Sequence, residues 1–196
     1  MRILVVGGGA REDALSWRLA ASPSCEALFH APGNAGTASR GTNWPDVSAT
    51  DARTIAHRAK QEKIDLVVLG PETAIAAGAG DKCRDAGIAV FGPNRSGGRL
   101  ETSKVFAKRF MERHSIPTAR FRVVHNLDRA KRALEDWRGG AVVKADGLAA
   151  GKGVVVCDDA ASALALLTDW YGNNAIPGGG HDVVIEEKLS GREVSV

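Results

Sequence analysis

The chain has 196 residues, of which 44% are hydrophobic and 25% charged, with no low-complexity tract; this excludes disordered and fibrous classes and leaves room for one large domain or two small ones. A net charge of +3 does not by itself mark a nucleic-acid binder, and no nucleic-acid partner is expected. The first apolar run, Ile3–Val6 within MRILVVGGG, is four residues long and ends in glycines, so it reads as neither a secretory segment nor a membrane span; a cytoplasmic location with no membrane partner is the expectation.

In chain order, Arg2–Val6 reads as a strand, Gly7-Gly8-Gly9 as a turn, and Arg11–Ala21 as a helix. A strand over Ala27–His30 leads into a glycine-rich loop, Gly33-Asn34-Ala35-Gly36-Thr37. Asp51 can cap a helix over Ala52–Lys63, Ile64–Leu69 reads as a buried strand, and a helix over about Ala74–Ala86 precedes a strand at Ile88–Phe91. Strands alternating with helices at these lengths indicate an α/β class, a parallel sheet with helices on both faces.

The pattern changes after Gly92-Pro93. Asn94–Arg99 reads as a short helix or turn, and Thr102–His114 as an amphipathic helix ending before Ile116-Pro117. Strands follow at Phe121–Val124, Ala141–Lys144, Gly153–Cys157 and Asp182–Glu187, with helices at Asp128–Trp137 and from an Asp158 or Asp159 cap to about Tyr171. Asn173–Gly180 reads as a mobile surface loop, and Glu193–Val196 as a strand cut short. The expected organisation is a parallel-sheet domain over 1–92, a helical linker over 93–117, and an α+β unit over 118–196.

Residues 91–144 carry thirteen basic and five acidic side chains, a surplus of eight. Lys104, Lys108, Arg109 and Arg113 fall at helical spacing, which a solvated helix face explains. The histidines form no metal spacing, no metal ligands are assigned within this chain, and Cys25, Cys83 and Cys157 lack the spacing of a zinc or redox pair.

Three loops follow strands at the end of a parallel sheet where ligands bind: Gly7–Glu12, Gly33–Thr37 and Gly70-Pro71-Glu72. The first is no dinucleotide fingerprint, because Glu12 occupies the third glycine position, yet glycines before a helix N-terminus suit an anion, and Arg11 adds charge. The strongest feature is Val142 to Val156, where Lys144 and Lys152 flank a small-residue loop between two strands. It is one residue too short for a Walker A motif and Gly153 replaces its Ser/Thr, but such a loop can fold over phosphates, meeting their oxygens with N–H groups and ammoniums. Glu186-Glu187-Lys188-Leu189 closes a strand and can serve an adenine and ribose.

The order VVGGGARE, APGNAGT, IDLVVLGPE, VFGPN, LETSKVFAKRFM, IPTA, VVKADGLAAGKGV and VIEEKLSGREVSV resembles the glycinamide ribonucleotide synthetase family of ATP-grasp ligases, across essentially the whole chain. The resemblance implies a Rossmann-like domain followed by an incomplete ATP-grasp lobe, and a reaction that joins glycine to 5-phosphoribosylamine with ATP, through glycyl phosphate. It implies that Lys104, Lys144 and Lys152 meet ATP phosphates, that Gly151 and Gly153 shape the loop, and that Glu186, Glu187 and Leu189 lie at the adenosine. It likewise implies that Gly9, Arg11, Glu12, Asn34, Ala35, Gly36, Pro71 and Glu72 face phosphoribosylamine, with Lys144, Lys152 and Glu193 in catalytic roles.

Two departures touch the acceptor loops: Asp13 stands where the family usually shows histidine, and Thr73-Ala74-Ile75-Ala76 replaces its usual Ala/Thr-Pro-Leu. The second ATP-grasp lobe, with its magnesium (or manganese) ligands, and a small C-terminal domain are expected outside this chain. The chain alone is therefore expected to be inactive in the full reaction, to bind ATP weakly, and to self-associate through its half-cleft. The rival expectations are a related ATP-grasp ligase with another amine acceptor and a non-catalytic nucleotide- or partner-binding protein.

Overall fold

The computed structural model describes residues 1–135, 137–149 and 151–194, and the chain divides into two compact units, Met1–Arg99 and Leu100–Val196. The first contains β1 (Arg2–Gly7), α1 (Ala10–Ala20), β2 (Ala27–Pro32), a 3-10 turn at Thr37–Ser39, β3 (Thr42–Asn43), α2 (Ala52–Gln61), β4 (Leu66–Leu69), α3 (Glu72–Ala76), α4 (Ala79–Asp85) and β5 (Ala89–Phe91). Its strands form one parallel sheet in the order β3-β2-β1-β4-β5. The chain runs outward from β1 on one side, then returns to β4 on the other, so the order reverses beside β1. The loops after β1 and β4 flank that switch point, where such folds leave a crevice.

The strands are continuously apolar because both faces are covered. Leu4, Val6, Phe29, Ala31, Val67 and Leu69 pack with Ile55 and Ala59 of α2, Ala74 of α3 and Cys83 of α4. Ile3, Val5, Leu28 and Val68 lie on the opposite side with Leu15 and Leu19 of α1. Each large side chain buried this way contributes about 1.5–3 kcal/mol relative to exposure. His30 is the exception: it is fully buried, and neither ring nitrogen is hydrogen-bonded to any of the described residues. Burial lowers its pKa from 6.5, partly opposed by the neighbouring Asn43 and Asp13.

The single helix expected over Ala74–Ala86 is two helices. Gly78 sits at φ 81°, a left-handed conformation that ends α3 and starts α4 in a new direction. β3, two residues long, is too short to leave a periodic signal.

A short α5 (Arg99–Thr102) spans the division. The second unit then comprises α6 (Lys104–Arg113), β6 (Phe121–Val124), α7 (Leu127–Glu135), β7 (Ala141–Ala145), β8 (Val154–Cys157), α8 (Ala160–Gly172) and β9 (Val183–Glu187). The four strands form an antiparallel sheet in the order β6-β9-β7-β8. One face, with Val143, Val183 and Ile185, is sealed by Leu134 of α7 and by Leu167 and Trp170 of α8. Alternation along the strands sends Lys144 and Glu186 to the other face.

Of the two aspartates available to cap α8, Asp159 does so, accepting from the Ser162 N–H at 2.7 Å; Asp51 caps α2 through the Thr54 N–H. The segment after α8, read as a loose surface loop, is anchored by Ile176, which is buried in the core of this unit. Glu193 and Val194 are not in a strand, and the expected strand's last two residues, Ser195 and Val196, lie outside the described residues. Cys83 and Cys157 are buried free thiols and Cys25 is half-buried. Among the described residues no helix is long and apolar enough to cross a membrane.

Candidate functional site

In the first unit the three candidate loops meet. Gly7 has φ 127°, and a Cβ there would lie 2.6 Å from Glu12 Cγ. A Cβ on Gly8 would lie 2.7 Å from the Gly33 carbonyl oxygen, so the first and second loops touch backbone to backbone. Asn34 extends this contact: its Nδ2 donates to the carbonyls of Gly8 at 3.1 Å and Gly9 at 3.2 Å. Arg11 donates to the Gly70 carbonyl at 3.1 Å, which joins the first loop to the third.

Glu12 is 4% exposed, and its Oε2 accepts from the Gly9 N–H at 2.7 Å. Its carboxylate is thus used inside the loop, closing the first turn of α1. Pro71 is the N-cap of α3 and Glu72 its first residue, while Ala35 is exposed beside Gly36. All eight residues expected to face the acceptor therefore lie on the three loops at the carboxyl ends of β1, β2 and β4 or in the first turn of the helix that follows.

The second loop is also braced from within. The Asn34 N–H donates to Thr37 Oγ1 at 2.8 Å, and Asn34 Oδ1 accepts from the Thr37 N–H at 3.0 Å. Thr37, fully buried, also donates to Asn43 Oδ1 at 2.9 Å, and Asn43 Nδ2 donates to the Asn34 carbonyl at 2.8 Å.

In the second unit, Lys104, Lys108, Lys144 and Glu186 line an open cleft of about 250 Å³, together with Met111 and Val154. Glu186 Oε2 accepts from Lys144 Nζ at 2.9 Å and forms an ion pair with Lys108 Nζ at 3.1 Å. Its Oε1 is buried without a hydrogen-bond partner. Two ammoniums on one carboxylate leave a surplus positive charge in a partly desolvated place, which favours an anion. Lys104 Nζ meanwhile donates to the Gly147 carbonyl at 2.8 Å, at the base of the small-residue loop.

That loop joins β7 to β8. Gly147 and Gly151 have φ 86° and 80°, and a Cβ at either would meet nothing within 4 Å. Gly153 is crowded instead, its missing Cβ lying 2.7 Å from Ala149 Cβ. Gly151 and Lys152 are exposed, as is Leu189, at 66%. Glu187 pairs with Arg120 at 3.6 Å at the end of β9. Lys152, Leu189 and Glu193 are not brought to the lining of the 250 Å³ cleft.

Sequence reasoning missed two residues here. Lys108, assigned to a solvated helix face, is 6% exposed; besides its ion pair with Glu186 it donates to Thr118 Oγ1 at 2.6 Å. The available signal was its place between Val105 and Met111, on the apolar stripe of α6. Asp146 is the other: it accepts from Ser103 Oγ at 3.1 Å and from the Val105 N–H at 3.0 Å, fastening the N-terminus of α6 to the loop. That tie crosses more than forty positions, and nothing local to Asp146 announces it.

The comparisons with known proteins agree with this architecture. Residues 1–101 match the family described as phosphoribosylglycinamide synthetase, N domain, and residues 102–196 its ATP-grasp (A) domain. The chain is 45% identical to the phosphoribosylamine–glycine ligase of Allochromatium vinosum and 43% identical to that of Escherichia coli strain K12, in each case over all of this chain and 46% of the relative. The chain thus spans less than half the length of these curated relatives. The crystal structure of phosphoribosylamine–glycine ligase from Thermotoga maritima superimposes with a TM-score of 0.79 at 31% identity, covering 98% of this chain and 45% of that one. The parallel sheet with its three loops, followed by an ATP-grasp α+β sheet carrying paired lysines, belongs to the phosphoribosylglycinamide synthetase family, and so does this chain.

Proposed function

We propose that the protein carrying this chain joins glycine to 5-phosphoribosylamine, converting ATP to ADP and phosphate and yielding glycinamide ribonucleotide for purine biosynthesis in the cytoplasm. The observation that carries this reading is the cleft lined by Lys104, Lys108, Lys144 and Glu186, with Lys108 and Lys144 paired to Glu186 and Lys104 held to the base of a glycine-rich hairpin loop, on a chain of this family.

In this reading the γ-phosphoryl group of ATP passes to the glycine carboxylate, giving glycyl phosphate and ADP. The phosphoribosylamine nitrogen then attacks the acyl carbon, forming the amide bond as phosphate leaves and a proton is lost from nitrogen. Both steps gather anions, so positive charge around the phosphates is the main requirement. Lys104, Lys144 and Lys152 supply it, Gly151 and Gly153 give the loop the shape to fold over the phosphates, and Glu186, Glu187 and Leu189 receive the adenosine. Gly9, Arg11, Glu12, Asn34, Ala35, Gly36, Pro71 and Glu72 form the acceptor crevice, and Glu193 continues the site beyond β9.

Magnesium accompanies ATP in such chemistry by offsetting phosphate charge. On the family resemblance, we assign its ligands to the part of the relatives' length that this chain does not match.

The test is ADP formation with ATP, magnesium, glycine and freshly made phosphoribosylamine, each omitted in turn, for the protein carrying this chain and for the 196-residue chain alone. ADP that requires both glycine and the amine is the expected result for the former. Turnover with bicarbonate or another amine, but not with phosphoribosylamine, would overturn the substrate assignment. The isolated chain is expected to give none, and turnover by it would show that these two units suffice.

A further inference from the structure

The loop Gly33–Thr37 is held from two directions by different chemistry. On the sheet side, the Asn34–Thr37–Asn43 network fixes its interior. On the outer side a single guanidinium holds it: Arg40 Nη1 donates both to Asp13 Oδ1, on the first turn of α1, and to the Gly36 carbonyl at 2.8 Å. The loop runs directly over the carboxylate, since a Cβ on Gly36 would lie 2.5 Å from Asp13 Oδ1. The side chains of Arg40 and Asp13 are 26% and 33% exposed, so the pair is accessible to water yet confined.

We propose that Asp13 and Arg40 are a positioning pair for the acceptor substrate, fastening loop 33–37 to α1 so that the first two loops present one preformed surface to the sugar phosphate. The inference rests on the acceptor reading of this crevice given above. Asp13 neutralises Arg40, so the guanidinium serves as a tie and not as a free cation for the ligand. Without the tie, the outer half of the loop must be ordered during binding, and that cost weakens the complex. The lost interaction is the same in ground and transition states, so KM for the amine rises while kcat holds.

The experiment compares Asp13→Asn, Arg40→Met and Arg40→Lys in the protein carrying this chain. Asp13→Asn and Arg40→Met are expected to raise KM for phosphoribosylamine by roughly three- to tenfold, with kcat and the KM values for ATP and glycine unchanged. Arg40→Lys keeps a cation able to reach both acceptors and is expected to stay near the parent value. Unfolding midpoints within a few degrees of the parent separate these effects from loss of the fold. An unchanged KM, or a fall in kcat alone, overturns the proposal; so does a lower KM in Asp13→Asn, which would make Arg40 a direct ligand that Asp13 restrains.

Hydrogen exchange without substrate supplies an independent readout. The amides of Ala38, Arg40 and Gly41, bonded back to Asn34 and Thr37, are expected to exchange faster in Asp13→Asn than in the parent. Equal exchange overturns the tie itself. If the parent does not use phosphoribosylamine, the substrate reading fails, and the exchange result still decides whether the pair holds the loop.

Discussion

The loop at 33–37, which we propose faces the acceptor, and the hairpin loop at 146–153 are both rich in small residues, but they are built differently. In the first, glycines are squeezed: a side chain on Gly33 or Gly36 would collide with Asn43 or Asp13, and side-chain hydrogen bonds hold nearly every turn. In the second, Gly147 and Gly151 stand in open space, and the ties among the described residues are concentrated at the base, through Asp146 and Lys104. Close approach requires glycine at Gly33 and Gly36 of the first loop and at Gly153 of the second, whereas at Gly147 and Gly151 only the backbone conformation does. The lesson is that a small-residue motif has two physical meanings, and only the surrounding contacts separate them. In the reading proposed above, the crowded loop is preorganised for the acceptor and the open one folds over the phosphates.

Substitutions can break this contrast. The largest expected effect is at the cleft served by the open loop: Lys144→Ala removes an ammonium from the proposed phosphate site and should lower kcat/KM by roughly 10²–10³. ADP formation measures it, and activity near the parent's would remove Lys144 from the mechanism. On the crowded side, Gly70→Ala places a Cβ 2.3 Å from Glu12 Oε1. Because Glu12 is locked to the Gly9 N–H, overpacking should cost about 1–3 kcal/mol in urea unfolding. Gly151→Ala meets no atom but keeps a left-handed φ, so its cost should be about 1 kcal/mol, and a larger loss would mean that the open loop is packed after all.

Two pH effects are smaller. Burial lowers the pKa of His30 in the folded chain, so between that value and the ordinary 6.5 the unfolded chain binds more protons. Stability from this group is complete above pH 6.5 and declines as pH falls through the interval toward the folded value. The unfolding midpoint of His30→Val should lack that slope, and an identical slope would clear His30 of it. Asp159 works in the same sense at lower pH. Hydrogen bonds from Ser162 depress its pKa below 3.8, so its contribution is present above 3.8 and lost as pH falls through the folded value. Asp159→Asn retains a cap but should flatten that part of the acid limb in circular dichroism titrations.

Most of the fold was legible because its signals are local. Uninterrupted apolar runs at Leu4–Val6 and Val67–Leu69 revealed strands covered on both faces, and Asp51 and Asp159 marked helix starts. The helix over 74–86 was misread because glycine is tolerated inside helices, and only the backbone shows Gly78 turning left-handed. Residues of the candidate site were found where they sit in strand-end loops. Lys108 and Asp146 were not, since their partners Glu186 and Ser103 lie far off in sequence and periodicity carries no information about such pairings.

The three thiols described with the fold have a practical consequence. Burial pushes Cys83 up to about 11, and burial with the nearby Asp158 and Asp159 raises Cys157. Alkylation proceeds through the thiolate, so at neutral pH a maleimide dye should leave both of these alone and react at the half-buried Cys25. This chain thereby carries its own single-position fluorophore handle, two residues before β2, with no cysteine to be engineered into it or out of it.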